Sequence, residues 1–170
     1  MNNWMTVKVK YTKQLENGTF KRVNEPYLLA AMTFTDAEAR IYEELGNIIR
    51  GEFAVTAISK TEVHDIFHFE DADVWYTCKI KFESAMEDEK SKKVAQTILV
   101  SANSVKDATE RLKESLSGML VDYTITGVVV SPLVDIFPYK EDLDVEISRV
   151  KFEDQTEEDY VSQEAEDLLS

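Results

Sequence analysis

One cysteine, Cys78, stands in 170 residues, so no disulfide can close within the chain and no cysteine cluster offers a metal site. Only three prolines and five glycines occur, and there is neither a glycine-rich phosphate loop nor a nucleophile elbow. No apolar run approaches the ~20 residues that a membrane helix needs, and no charged and apolar leader opens the chain. The expected protein is therefore soluble, without a membrane partner, and cytoplasmic. Basic residues are also scarce, 19 against 33 acidic, for a net charge of −14. That balance opposes nucleic-acid binding until its distribution is considered. Residues 1–34 hold five basic and two acidic side chains, and residues 75–103 hold five and four. Residues 138–170 hold three basic and twelve acidic, which confines much of the negative charge to the end of the chain.

What is present is a pattern stated twice. Tyr27 to Ala31 reads as extended, and Thr33 to Ile41 opens a helix with Ala37, Ile41, Leu45 and Ile48 inward. Seventy-one residues on, Ile98 to Ala102 leads into a helix with Ala108, Leu112, Leu116 and Met119 inward. The register runs from Trp4/Trp75 through Asp36/Asp107 and Arg40/Arg111 to Ile49/Leu120. It slips by one residue near Gly51 and ends on the matching triplets Asp65-Ile66-Phe67 and Asp135-Ile136-Phe137.

Each copy begins with an alternating strand. Val7, Val9 and Tyr11 oppose Thr6, Lys8 and Lys10, and Cys78, Ile80 and Phe82 oppose Thr77, Lys79 and Lys81. Asn17-Gly18 predicts a tight hairpin, and Glu87 to Lys90 a looser one. The return strands enter through Lys21-Arg22 and Lys92-Lys93, and Pro26 predicts an edge or a bulge. Thr33 and Ser104 are the expected N-caps, with Thr35 and Glu38 a competing box in the first copy. Arg40, Arg111, Glu43 and Glu114 are expected on the solvated side. Val128-Val129-Val130 predicts a fully buried strand. The expectation is an α+β fold: an internal duplication of a β-β-α-β(-β) unit, residues 1–70 and 71–140, joined as one pseudo-twofold domain, with an acidic, disordered or weakly helical tail at 141–170.

Chemistry is thin. His64 and His68 lie four apart among Asp65, Glu70, Asp71 and Asp73, but the segment reads extended, where that spacing does not make a ligand pair. No metal, no cofactor and no catalytic residue is assigned, and the expected class is not an enzyme. What recurs is a basic hairpin beside aromatics. Lys8, Lys10, Lys21 and Arg22 in one copy, and Lys79, Lys81, Lys92 and Lys93 in the other, would track phosphates, with Trp4 and Trp75 stacking bases. Lysines on a strand's outer face also serve plain solvation, and aromatics at alternate positions are more often core.

The tail residues Glu157, Glu158, Asp159, Glu164, Glu166, Asp167, Leu168 and Leu169 resemble the acidic tips of single-stranded DNA-binding proteins. That resemblance implies competition for the basic face and recruitment of a partner protein. Trp4, the run Phe34-Thr35-Asp36-Ala37-Glu38-Ala39-Arg40, Gly51-Glu52-Phe53, Trp75-Tyr76 and Asp135-Ile136-Phe137-Pro138-Tyr139 resemble an uncharacterised domain family of Bacteroidota and their phages. That resemblance implies a bacterial cytosol or a phage-infected host and no transferable activity. Paired sheet-and-helix repeats are also similar to the Whirly and Pur-type single-strand binders, although there the helix follows four strands. The expected function is non-catalytic binding of single-stranded nucleic acid, DNA of replication or recombination in particular. A protein-interaction module acting through the tail and a ligand pocket between the repeats are the alternatives, and homo-oligomerisation stays open.

Overall fold

The computed structural model describes residues 3–84 and 92–139, and the architecture below is that of the unit Met1–Phe137. The fold is α+β. Strands β1 (Trp4–Gln14) and β2 (Phe20–Ala30) form a hairpin, followed by α1 (Phe34–Gly46), β3 (Phe53–Lys60) and β4 (Val63–Phe67). The same order returns as β5 (Val74–Ser84), β6 (Lys92–Ala102), α2 (Val105–Ser115), β7 (Tyr123–Val130) and β8 (Ile136–Phe137).

Alternation builds the two main cores. Met5, Val7 and Val9 of β1, with Tyr27 and Leu29 of β2, present one sheet face on which Ala37, Ile41 and Leu45 of α1 pack. Cys78, Ile80, Ile98 and Val100 receive Ala108 and Leu112 of α2 in the same way. Both helices start from the same device. The Thr33 hydroxyl accepts from the Asp36 N–H at 3.0 Å, and the Asp36 carboxylate accepts from the Met32 N–H at 2.9 Å. Ser104, Asp107 and Asn103 repeat both bonds at 3.0 and 2.9 Å. The hydroxyl satisfies one N–H that the helix start would leave without a partner, and the carboxylate ties down the residue just before the cap.

The two halves exchange their last strands. The first sheet runs β3-β1-β2-β8 and the second β4-β6-β5-β7. Thus β4, in the first half of the chain, lies parallel to β6, with Ile66 opposite Leu99. Conversely β8 lies parallel to β2, with Leu28 opposite Ile136. A third core follows from this exchange: Leu28, Leu99 and Trp75 are buried together, with Trp4, Val63, Ile66, Leu133 and Ile136 around them. The sheet faces turned away from the helices meet at this end, where Leu28, Leu99 and Trp75 fill the space between them.

Several details depart from expectation. The hairpin at Asn17-Gly18 is a five-residue loop in which only Gly18 has positive φ, at 81°, and the Asn17 side chain accepts from the Thr19 N–H at 3.1 Å. Of the edge or bulge expected at Pro26, the β1–β2 register shows no bulge; its carbonyl accepts from the Val134 N–H at 3.0 Å, so its missing donor faces the side where β2 pairs with β8 only at Leu28 and Leu29, which is the edge alternative. The irregularities fall one strand over, between Lys8 and Val9 against β3 and between Lys79 and Ile80 against β7.

Ile48 lies past the end of α1 and is 62% exposed. Val129 and Val130 are about as exposed, because β7 pairs only with β5 and ends its sheet. Arg40 and Arg111 are not solvated: each side chain is 13% exposed. Arg40 donates to the Ala30 carbonyl, and Arg111 donates to that of Ser101 at 3.2 Å. A long side chain whose stem crosses the helix–sheet seam reaches a carbonyl at the strand's end, which helical periodicity alone does not reveal. The expected tail, residues 141–170, and the loop Glu87 to Lys90 lie outside the described residues.

Candidate nucleic-acid interface

All eight basic side chains singled out by the sequence are exposed, and none has an ion-pair partner among the described residues. Strand register divides them. In the first sheet Lys8 pairs across with Pro26, Lys10 with Asn24, Thr12 with Arg22 and Gln14 with Phe20. Since facing residues share a side and successive residues alternate, Lys8, Lys10, Arg22 and Phe20 occupy the face turned away from α1. Lys21 faces Lys13 on the other side, beside Glu25, which Lys13 approaches at 3.6 Å. The second sheet groups Lys79, Lys81 and Lys93 and sets Lys92 apart. Adjacent lysines in a strand therefore diverge, and the two basic pairs of the sequence do not act as pairs.

The first of these faces is the more uniformly positive. Along β1 and β2 it carries no carboxylate, and its neighbours on β3 are small, Ala57 opposite Lys8 and Ala54 opposite Lys10. Phe20 stands 72% exposed at its outer end. The second face includes Glu83, directly across from Lys93.

The tryptophans are not equivalent to the lysines in access. Trp75 is 5% exposed in the inter-sheet core, with the His68 ring stacked on it at 5.4 Å, and Trp4 is half-buried in the same cluster. The sequence pattern assigns both to base stacking. Burial withdraws Trp75 from that role, and Phe20 is the aromatic that the hairpin exposes. The sequence signal for it was available: Phe20 follows the Asn-Gly turn and stands two residues from Arg22.

The two histidines are engaged separately. Nδ1 of His64 accepts from the Thr97 N–H at 3.4 Å where the β4–β6 register is irregular, while His68 lies on Trp75. The tail residues Glu157, Glu158, Asp159, Glu164, Glu166, Asp167, Leu168 and Leu169 lie outside the described residues.

On the helix side of the first sheet, the Tyr11 hydroxyl donates to Oε2 of Glu25 at 2.7 Å and that of Tyr27 reaches the same oxygen at 3.3 Å. Burial, reinforced by the neighbouring carboxylate, pushes the Tyr27 hydroxyl up to about 12 and Tyr11 higher still. Phe82, Gln96 and Ile98 hold the corresponding places in the second sheet, so this polar cluster belongs to one half only.

A family model described as Domain of unknown function (DUF4494) matches residues 3–139. No curated protein and no solved structure matches the chain.

Proposed function

The chain belongs to the DUF4494 family, and for it we propose non-catalytic binding of single-stranded nucleic acid, with the first hairpin as the principal contact. One observation carries the proposal: Lys8, Lys10 and Arg22 share an acid-free strand face, without ion partners among the described residues, with Phe20 exposed beside them. Lysines and arginine neutralise phosphates, and an exposed ring stacks on a base without regard to its identity. A single strand suits this face, because its unpaired bases present the π-surfaces that Phe20 requires, whereas a duplex hides them. The small residues of β3 let a backbone approach the lysines closely. Lys79, Lys81 and Lys93 extend the contact on the second sheet, and DNA of replication or recombination is the proposed target.

The test is fluorescence anisotropy of labelled, unphosphorylated oligo-dT with the full chain across a salt series. Replacing Lys8, Lys10 and Arg22 by Gln is expected to lower the salt slope by about 2, at about 0.7 per phosphate contact on a single strand. Phe20→Ala is expected to cost about 1–3 kcal/mol of affinity with the slope unchanged. No binding by the full chain at low salt, or equal binding by the triple variant, overturns the reading.

A further inference from the structure

The two halves differ in how they guard the outer strands of their sheets. Strands β3 and β7 hold corresponding edges, and among the described residues each pairs with one strand only, β1 or β5. An open edge presents a row of unpaired N–H and C=O groups, which proteins commonly blunt with charge or proline. The end of β3 is Ser59 and Lys60, both exposed, with the Lys60 ammonium 5.9 Å from the centre of the Phe34 ring. The corresponding end of β7 is Val129 and Val130, 60% and 62% exposed, and the eight residues of this strand include no charge and no proline. Leu120 and Val121 just before β7, and Val134 just after it, are exposed as well. Apolar side chains therefore accompany this edge from end to end.

Pairing with β5 fixes the side on which each β7 residue lies. Phe82 faces Tyr123, Ile80 faces Ile125, Cys78 faces Val128 and Tyr76 faces Val130, so these four residues of β7 are on the α2 side. Lys81 faces Thr124, Lys79 faces Gly127 and Thr77 faces Val129 on the far side, and Thr126 is the extra residue of a bulge beside Gly127. Two neighbours, Thr126 and Gly127, thus share the far side at the middle of the strand. The order of sides is consequently the same from either end of β7. A regular strand that matches this edge from Tyr123 to Thr126 turns the wrong face to it from Gly127 onward, because its own alternation is unbroken. A second β7 running antiparallel has its interruption at the same place and matches throughout.

We propose that β7 is a dimerisation edge, pairing antiparallel with β7 of a second copy of this chain about a twofold axis between Thr126 and Gly127. Tyr123 of one copy then lies opposite Val130 of the other, Thr124 opposite Val129, Ile125 opposite Val128 and Thr126 opposite Gly127. The same axis sets the exposed Leu120 and Val121 of one copy beside the segment that follows β7 in the other. A twofold contact uses the edge completely, so the assembly closes as a dimer and does not grow. The two sheets become one of eight strands, with Lys79 and Lys81 of both copies on a common face. The inference stands on strand geometry and is independent of nucleic-acid binding.

The experiment is sedimentation velocity of the full chain over a concentration series, carried to about 1 mM because an edge contact is small among specific interfaces. A reversible monomer–dimer equilibrium is expected. Val129→Ser with Val130→Lys gives β7 the residues that β3 carries at the same places, which the first half shows such a strand accepts. This variant should weaken the dimer at least about tenfold, since the symmetry counts each lost contact twice. Cross-linking tests the register without relying on that variant. Thr124→Cys and Val129→Cys chains, mixed under mild oxidation, should form a disulfide-linked dimer, with Cys78 buried and out of reach. Neither should do so alone, because each position lies five residues, about 17 Å, from its own symmetry copy, beyond the ~7 Å limit for a disulfide. A monomer at every concentration overturns the proposal, as does open-ended growth or undiminished association of the double variant. So does a mixture that fails to cross-link, or that cross-links no better than either chain alone.

Discussion

Leu99→Ala is the sharpest probe of the strand exchange. Leu99 is 2% exposed and lies in the cluster with Leu28 and Trp75, opposite Ile66 on the strand delivered by the first half. Truncating a buried leucine costs about 2–5 kcal/mol, in proportion to the space that cannot close. Two sheets and two exchanged strands fix the walls of this site, so a value near 3 kcal/mol is expected. A unit of about 137 residues has a stability of roughly 7–20 kcal/mol at the usual per-residue range, so the variant still folds. With a urea slope of about 2 kcal/mol per molar, its midpoint falls by about 1.5 M. The assay is urea unfolding followed by tryptophan fluorescence, with hydrogen exchange of α1 amides as a second probe. Because the core is shared, both probes should move together in a single transition, although α1 belongs to the other half. A loss under about 1 kcal/mol, or α1 protection that outlasts the fluorescence change, refutes the reasoning.

Two further outcomes concern titration. Tyr27 ionises at about 12 in the fold against about 10 for a free tyrosine, and Tyr11 is shifted the same way. The folded state thus holds its protons longer, so stability contributed by this cluster is complete below pH 10 and declines as pH rises through 12. Ultraviolet titration with parallel melting curves checks the sign, and a rise in stability above pH 10 would contradict it. Burial raises the Cys78 thiol to about 11, so at pH 8 it should resist iodoacetamide until the chain is unfolded in denaturant. Labelling of the native protein at the rate of a free thiol would count against its burial.

Local structure was legible because it depends on local chemistry. Thr33 and Ser104 announce their helices through the hydroxyl and the acid three residues on, and the alternation in Val7, Val9 and Cys78, Ile80 orients each hairpin. Partnership was not legible. Asp65-Ile66-Phe67 reads as a strand whichever sheet receives it, and nothing within those residues specifies β6 over β2. Val128 to Val130 look like a strand buried on both faces, yet exposure there is decided by the absence of a further paired strand beyond β7 among the described residues. Of the interface, charge and face could be read from spacing, whereas the loss of Trp75 to the inter-sheet core required the two halves to be seen together.

The exchange also sets a clock on synthesis. Ile136 pairs with Leu28, 108 residues behind it. At about 5–20 residues per second, the first hairpin emerges from the ribosome roughly 5–20 s before the strand that covers its inner edge. Throughout that interval Leu28 lacks β8, and until Leu99 is made, 71 residues after it, it lacks that partner too, so the edge of β2 is open to any extended chain nearby. A nascent chain of this fold is thus most exposed to mispairing in its earliest-made part, and its protection arrives with the last residues of the unit.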